Sequence, residues 1–142
     1  MVRLSDWQSR LSTYLVSCAH TPFRYGHLDC GLFVAGAIQA ISGVDVAKEL
    51  RGKYKTRSEA LEQITLLCGS PTMEAVAVYL ANENGFPEVP VLCAQRGDPV
   101  VLKSGRRSTL GIIAMHGTEV LTPYRHGILR VPLSLATRAF RI

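Results

Sequence analysis

Apolar residues recur at helical spacing through the first half of the chain and at strand spacing through the second. Trp7, Leu11, Tyr14 and Leu15 fall on one helical face. The preceding "SDWQ" predicts a capping box in which Ser5 and Gln8 satisfy each other's backbone. Pro22 and Gly26 interrupt the pattern. Asp29 then reads as the N-cap of a second helix, from about Cys30 to Ser42, which Gly43 ends. Leu32, Phe33, Val34, Ala37, Ile38 and Ile41 make that helix apolar nearly all round, the pattern of a buried helix. Gly31 and Gly36 would let other backbone approach it closely. A polar connection, "GVDVAKELRGKYK", leads to a second capping box, "TRSE" at 56–59. Ala60, Leu61, Ile64, Leu67 and Cys68 form the apolar face of the third helix, stopped by Gly69. Pro71 or Thr72 opens a fourth, with Met73, Val76, Ala77 and Leu80 inward, ended by Asn84-Gly85.

Beyond "GFPEVPV" the period changes. "DPVVLK", "STLGIIA", "TEVLT" and "GILRVP" are short and β-branched, separated by "SGRR", "MHG" and "PYRHG". The final "TRAFRI" reads as a closing strand. Helices followed by an antiparallel meander predict an α+β domain with segregated parts. No internal repeat and no linker divides it, so residues 1–142 form one domain.

Composition changes this picture little. The 142 residues, 47% hydrophobic and 19% charged, are those of a globular chain with one core. The net charge of +5 is spread along the chain, with its densest cluster, Lys103 to Arg107, reading as a solvated turn. Neither a basic face interleaved with aromatics nor a nucleic-acid reader motif is present. Cys18, Cys30, Cys68 and Cys93 stand alone, without metal-ligand spacing, so no metal or cofactor is expected. Cys18 and Cys68 read as packing residues. Unpaired thiols, no apolar run near the ~18 residues of a span, and no signal-like N-terminus point to a chain kept in a reducing cytoplasm. "RGD" at 96–98 copies an integrin-binding tripeptide by letter only, since it leads into a strand.

The chemistry centres on Cys30. A thiol in the first turn of a helix faces unpaired N–H groups and the positive end of the helix dipole, which favours the thiolate. A rigid buried helix would hold such a nucleophile well. The alternative is a small residue packed in a core turn. Both readings are open from position alone.

The run Tyr25-Gly26-x-x-Asp29-Cys30-Gly31-Leu32-Phe33 resembles the nucleophile motif of the NlpC-type cell-wall peptidases, although Gly31 stands where they carry serine. "AQRGDPVVL" is similar to that family's Gly-Asp entry into its first core strand, and "STLGIIA" to its His-Val-Gly-Ile strand. The likeness spans most of residues 20 to 130, with nothing matched in 44 to 90. It implies a papain-like, NlpC-like fold, with N-terminal helices packed on a small C-terminal antiparallel sheet or half-barrel. It also implies Cys30 as the catalytic residue and Tyr25 and Asp29 at the substrate groove.

One position departs from the family. Thr109 stands where the catalytic histidine would be, and a threonine hydroxyl cannot act as a general base near neutral pH. His27, His116 and His126 are the candidate substitutes, and Thr122 is the nearest candidate for the orienting third residue. The chain as a whole is similar to small NlpC-like proteins encoded in the tail modules of tailed bacteriophages and prophages. "YGHLDCGLFVAGAI", "LRGKY", "AQRGD" and "VPLSLATRAFRI" carry that likeness. It implies a structural or assembly component of the tail tip, made in the host cytoplasm, with the hub and the end of the tape measure as partners. The alternatives are an active cysteine peptidase in contact with peptidoglycan peptide stems or a tail protein, and a thiol hydrolase unrelated to phage.

Overall fold

The computed structural model describes all 142 residues. Four helices come first: α1 (Trp7–Ala19), α2 (Cys30–Ser42), α3 (Arg57–Cys68) and α4 (Met73–Asn84). Six strands follow: β1 (Glu88–Val89), β2 (Pro99–Ser104), β3 (Arg107–Ile113), β4 (Glu119–Tyr124), β5 (Gly127–Pro132) and β6 (Ala136–Phe140). They form one antiparallel sheet in the order β1-β6-β2-β3-β4-β5. The expected α+β class, helices before an antiparallel sheet, is the one observed. β2 to β5 make the meander; β6 then returns to the free edge of β2 and brings β1 into the sheet.

Local chemistry sets three of the four helix starts. Asp29, Thr56 and Thr72 sit in extended backbone, and their side-chain oxygens accept from the N–H groups of Leu32, Glu59 and Ala75. Gly43, Gly69 and Gly85 close the same helices in the left-handed conformation. The Ser5 capping box does not form. α1 begins one residue later, behind Asp6, with no side-chain cap. The Asp6 carboxylate instead accepts from Arg10 Nε at 2.8 Å, and the Leu4 carbonyl takes the Trp7 N–H.

α2 is apolar all round because it is covered on several sides. Phe33, Val34, Ala37, Ile38 and Ile41 share one buried cluster with Leu11 of α1 and with Val101, Leu110, Ile112 and Leu121 of the sheet. Leu32 and Ala35 face a second cluster made by Ala47, Leu50, Tyr54 and Ala60. The polar connection 43–55, largely exposed, thus also contributes a wall of the core through Ala47, Leu50 and Tyr54. These three do recur at helical spacing, but the polar residues between them hide the wall from sequence. Gly36 does give close approach, but to a side chain instead of backbone. A Cβ there would lie 2.3 Å from the Tyr14 hydroxyl, which donates to the Phe33 carbonyl at 2.8 Å. Gly31 likewise meets the Met73 side chain rather than another backbone. The far face of the sheet has its own cluster, Val100, Leu102, Ile113, Val120 and Ala139, so β2 to β4 are buried on both sides.

The "RGD" loop proves to be a staple. Asp98 is fully buried, and its carboxylate accepts from Arg3 Nη2 (2.7 Å), Arg141 Nε (2.9 Å) and the Gln95 N–H (2.8 Å). The Ile142 N–H lies 3.4 Å from the same carboxylate. One side chain thus ties the first residues of the chain to the last. No single helix is long and apolar enough to cross a membrane.

Candidate functional site

The site grows from the α1–α2 loop. A capping aspartate at position 29 needs the loop before it to turn sharply, and Gly26 supplies that turn with φ +82°. The Asp29 carboxylate then binds three donors: the Leu32 N–H (3.0 Å), the Gly26 N–H (3.1 Å) and the Tyr54 hydroxyl (2.6 Å). Gly52 N–H closes the contact by donating to the Gly26 carbonyl at 2.9 Å. The loop before α2 and the "LRGKY" segment are therefore one unit. Asp29 is buried at 5% exposure and committed to this network. Its role extends beyond the cap that sequence shows, because it also holds the wall formed by Tyr54. Burial and the Asp29 charge together drive the Tyr54 hydroxyl far above its ordinary range, which keeps it a donor.

Cys30, next in sequence, is half-buried and opens onto a cleft of about 440 Å³. Tyr25, Asp29 and Thr109 line the same cleft. Tyr25 packs edge-on against Phe23 with ring centroids 5.2 Å apart. β3 brings Thr109 into the same cleft as Cys30. Burial is the largest influence on the Cys30 thiol and pushes it above its ordinary range. The Thr109 side chain and the N–H groups of Leu110 and Gly31 favour the thiolate, while the Asp29 charge opposes it. Burial wins over the helix terminus. The activation expected from the first turn of α2 is thus outweighed.

The histidines lie elsewhere. His27 is exposed and outside the cleft lining; His116 sits in the β3–β4 turn, 3.2 Å from Glu119 Oε1; His126 stacks edge-on against Tyr124 in the β4–β5 turn. His20, at the end of α1, is exposed as well. Thr122 is buried in β4 and donates to the Leu110 carbonyl at 2.8 Å, which makes it a bond between strands instead of an orienting residue. Cys18 is buried, Cys68 half-buried and Cys93 exposed, each unpaired. No three His, Cys, Asp or Glu side chains converge as a metal ion requires.

A thiol of this kind has a measurable signature. The thiolate is the species that alkylates, and burial favours the neutral thiol. In a Cys93→Ser background, iodoacetamide is expected to modify Cys30 slowly at neutral pH. The rate should climb only as pH passes above the ordinary thiol range, as read by mass spectrometry. The linkage has the same sign. The raised thiol supports the fold at low and neutral pH, and that support is lost as pH rises through its folded value. Fast labelling near pH 7 would instead mean an activated nucleophile.

Sequence reasoning did not find Tyr54, Arg57, Arg106 or Arg107, all of which line the cleft. The "LRGKY" likeness was a signal for Tyr54, an aromatic isolated in a polar stretch. The arginines carry none, since only the fold brings α3 and the β2–β3 hairpin to one cavity. Comparison with curated proteins found no match. A family match does cover residues 2–142: the chain belongs to the family described as a domain of unknown function, DUF6950.

Proposed function

We propose that this chain is a structural or assembly component of a bacteriophage tail tip, built on a papain-like, NlpC-like fold whose catalysis has degraded. The observation that carries the reading is that Cys30 and Thr109 share one cleft whose lining holds no imidazole, where acyl transfer needs one. A cysteine peptidase requires a base to take the thiol proton and later return it to the leaving amine. Thr109 does neither near neutral pH, and all four histidines lie outside the cleft. The papain-like assignment draws support from a cysteine opening a buried helix that packs against β3 of an antiparallel sheet. The tail-tip assignment rests on the likeness of four segments to tail-module proteins; the hub and the end of the tape measure are the partners it names. Assembly in the host cytoplasm suits a chain with four unpaired thiols.

The second reading, a cysteine peptidase acting on peptidoglycan stems or on a tail protein, keeps one observation in its favour. Cys30 still faces an open cleft of substrate size.

Measurements on the encoding phage or prophage and on the purified protein separate them. The assembly reading expects the protein in purified particles by mass spectrometry, loss of tails on gene deletion, and full infectivity with Cys30→Ser. Purified protein should release no soluble fragments from cell-wall sacculi. Release by the wild type that Cys30→Ser abolishes would establish the peptidase instead. Tails that form normally without the gene would overturn the assembly role.

A further inference from the structure

The cleft has an unusual division of chemistry. Its floor is aliphatic: Leu32, Leu50, Ile64, Val76 and Leu80 line it, all of them buried. Its rim is cationic. Arg57 comes from the first turn of α3, Arg106 from the β2–β3 turn and Arg107 from the first position of β3. All three are exposed and make no ion pair, whereas Lys103 pairs with Glu74 and Arg51 with Asp45. The only acid among the lining residues is Asp29, whose oxygens already hold three donors. The rim therefore presents three unanswered positive charges around an apolar cavity.

We infer that this cleft binds a peptide segment of a partner protein that carries an apolar anchor side chain flanked by carboxylates. A volume of about 440 Å³ falls in the range of binding clefts and accepts the anchor. Burying an aliphatic or aromatic side chain against the floor supplies the affinity, as anchor residues do at interfaces. Guanidinium groups suit carboxylates, which they grip through two parallel hydrogen bonds. The cations come from two separate elements, so several carboxylates spread along a segment satisfy them better than the single carboxylate of a small metabolite. Ser108 adds a hydroxyl: it accepts the Glu74 N–H at 3.3 Å and keeps its own proton to donate. The aliphatic floor disfavours a nucleobase, whose polar edge would lose its hydrogen bonds there. This inference stands without the tail-tip reading, since it uses only the lining of the cleft.

The test is a selection from a displayed random-peptide library with the intact chain as bait. Enriched sequences should hold Asp or Glu around one large apolar residue. A synthetic copy of the best should bind by fluorescence anisotropy, weaken as salt rises, and slow alkylation of Cys30. The double variant Arg106→Glu/Arg107→Glu changes two exposed residues at the tip of the β2–β3 hairpin and should melt like the wild type. It should weaken that peptide by about tenfold or more and, used as bait, shift the selection toward Lys and Arg. No enrichment, enrichment without an acidic bias, or unchanged affinity in the double variant would each overturn the inference. An oligothymidylate that binds more tightly than the peptide and protects Cys30 would overturn it in favour of nucleic acid.

Discussion

Replacing Asp98 by alanine should lower the free energy of unfolding by about 3–5 kcal/mol, the range for removing one partner from a buried charge network. The residue has no exposed surface and holds two guanidinium groups and the Gln95 N–H, with Ile142 N–H at the limit of reach. Its removal leaves Arg3 and Arg141 facing a cavity without their counter-charge. It also removes the shared anchor of the segment before α1 and the residues after β6, leaving the Arg3 Nε bond to the Ile142 carbonyl at 3.1 Å as their direct tie. Asp98→Asn keeps the shape and one acceptor oxygen but loses the charge, so an intermediate loss is expected. Glu88→Ala is the control: Glu88 pairs with Arg138 at 2.7 Å, yet its side chain is 48% exposed. Solvent screening limits that pair to less than about 1 kcal/mol. Urea denaturation followed by circular dichroism reads all three. A loss below about 1 kcal/mol for Asp98→Ala would mean that the staple is dispensable.

Gly26→Ala is the second large effect, with an expected loss of about 3 kcal/mol from two additive sources. Its φ of +82° is one that L side chains rarely adopt, and a Cβ would lie 2.0 Å from the Tyr54 carbonyl oxygen. Backbone strain alone costs roughly 1–3 kcal/mol. The overlap must in addition push the Tyr54 segment away, at a cost typical of overpacking, roughly 1–3 kcal/mol. Gly52→Ala separates the two contributions. Gly52 has φ +71°, and a methyl group added there would meet nothing within 4 Å, so it should show the strain alone. The same denaturation measurement compares them, and equal losses would show that no clash exists at Gly26. A displaced Tyr54 would also release one donor from Asp29 and leave its charge, which opposes the thiolate, less compensated, so slower Cys30 alkylation in Gly26→Ala is the accompanying sign.

Features that depend on neighbours in sequence were legible. Asp29, Thr56 and Thr72 with Gly43, Gly69 and Gly85 frame three helices within a residue of the expected bounds, because caps act within one turn. Five of the six strands were visible as β-branched runs between turn residues. β1, only Glu88 and Val89, is too short to show a period and exists because β6 lies beside it. Ser5 misled because several residues at that helix start can take the flanking position; Asp6 takes it, with its carboxylate turned to Arg10. The meeting of Cys30 with Thr109 followed from the order of motifs. The Asp29–Tyr54 bond and the arginine rim did not, since they join residues 25 or more positions apart whose types give no sign of partnership.

The position of β6 has a consequence for synthesis. Although it is the last of the elements, it occupies the interior of the sheet, between β1 and β2. While the ribosome still holds residues 136–140, β2 presents an open edge and β1 has no partner at all. The contacts that Arg141 and Ile142 make with Asp98 come later still. The helices and the β2–β5 meander are free to form before that, and the sheet closes only once residues 136–140 have emerged. During that interval the open edge of β2 is what the nascent chain must protect from pairing with another strand.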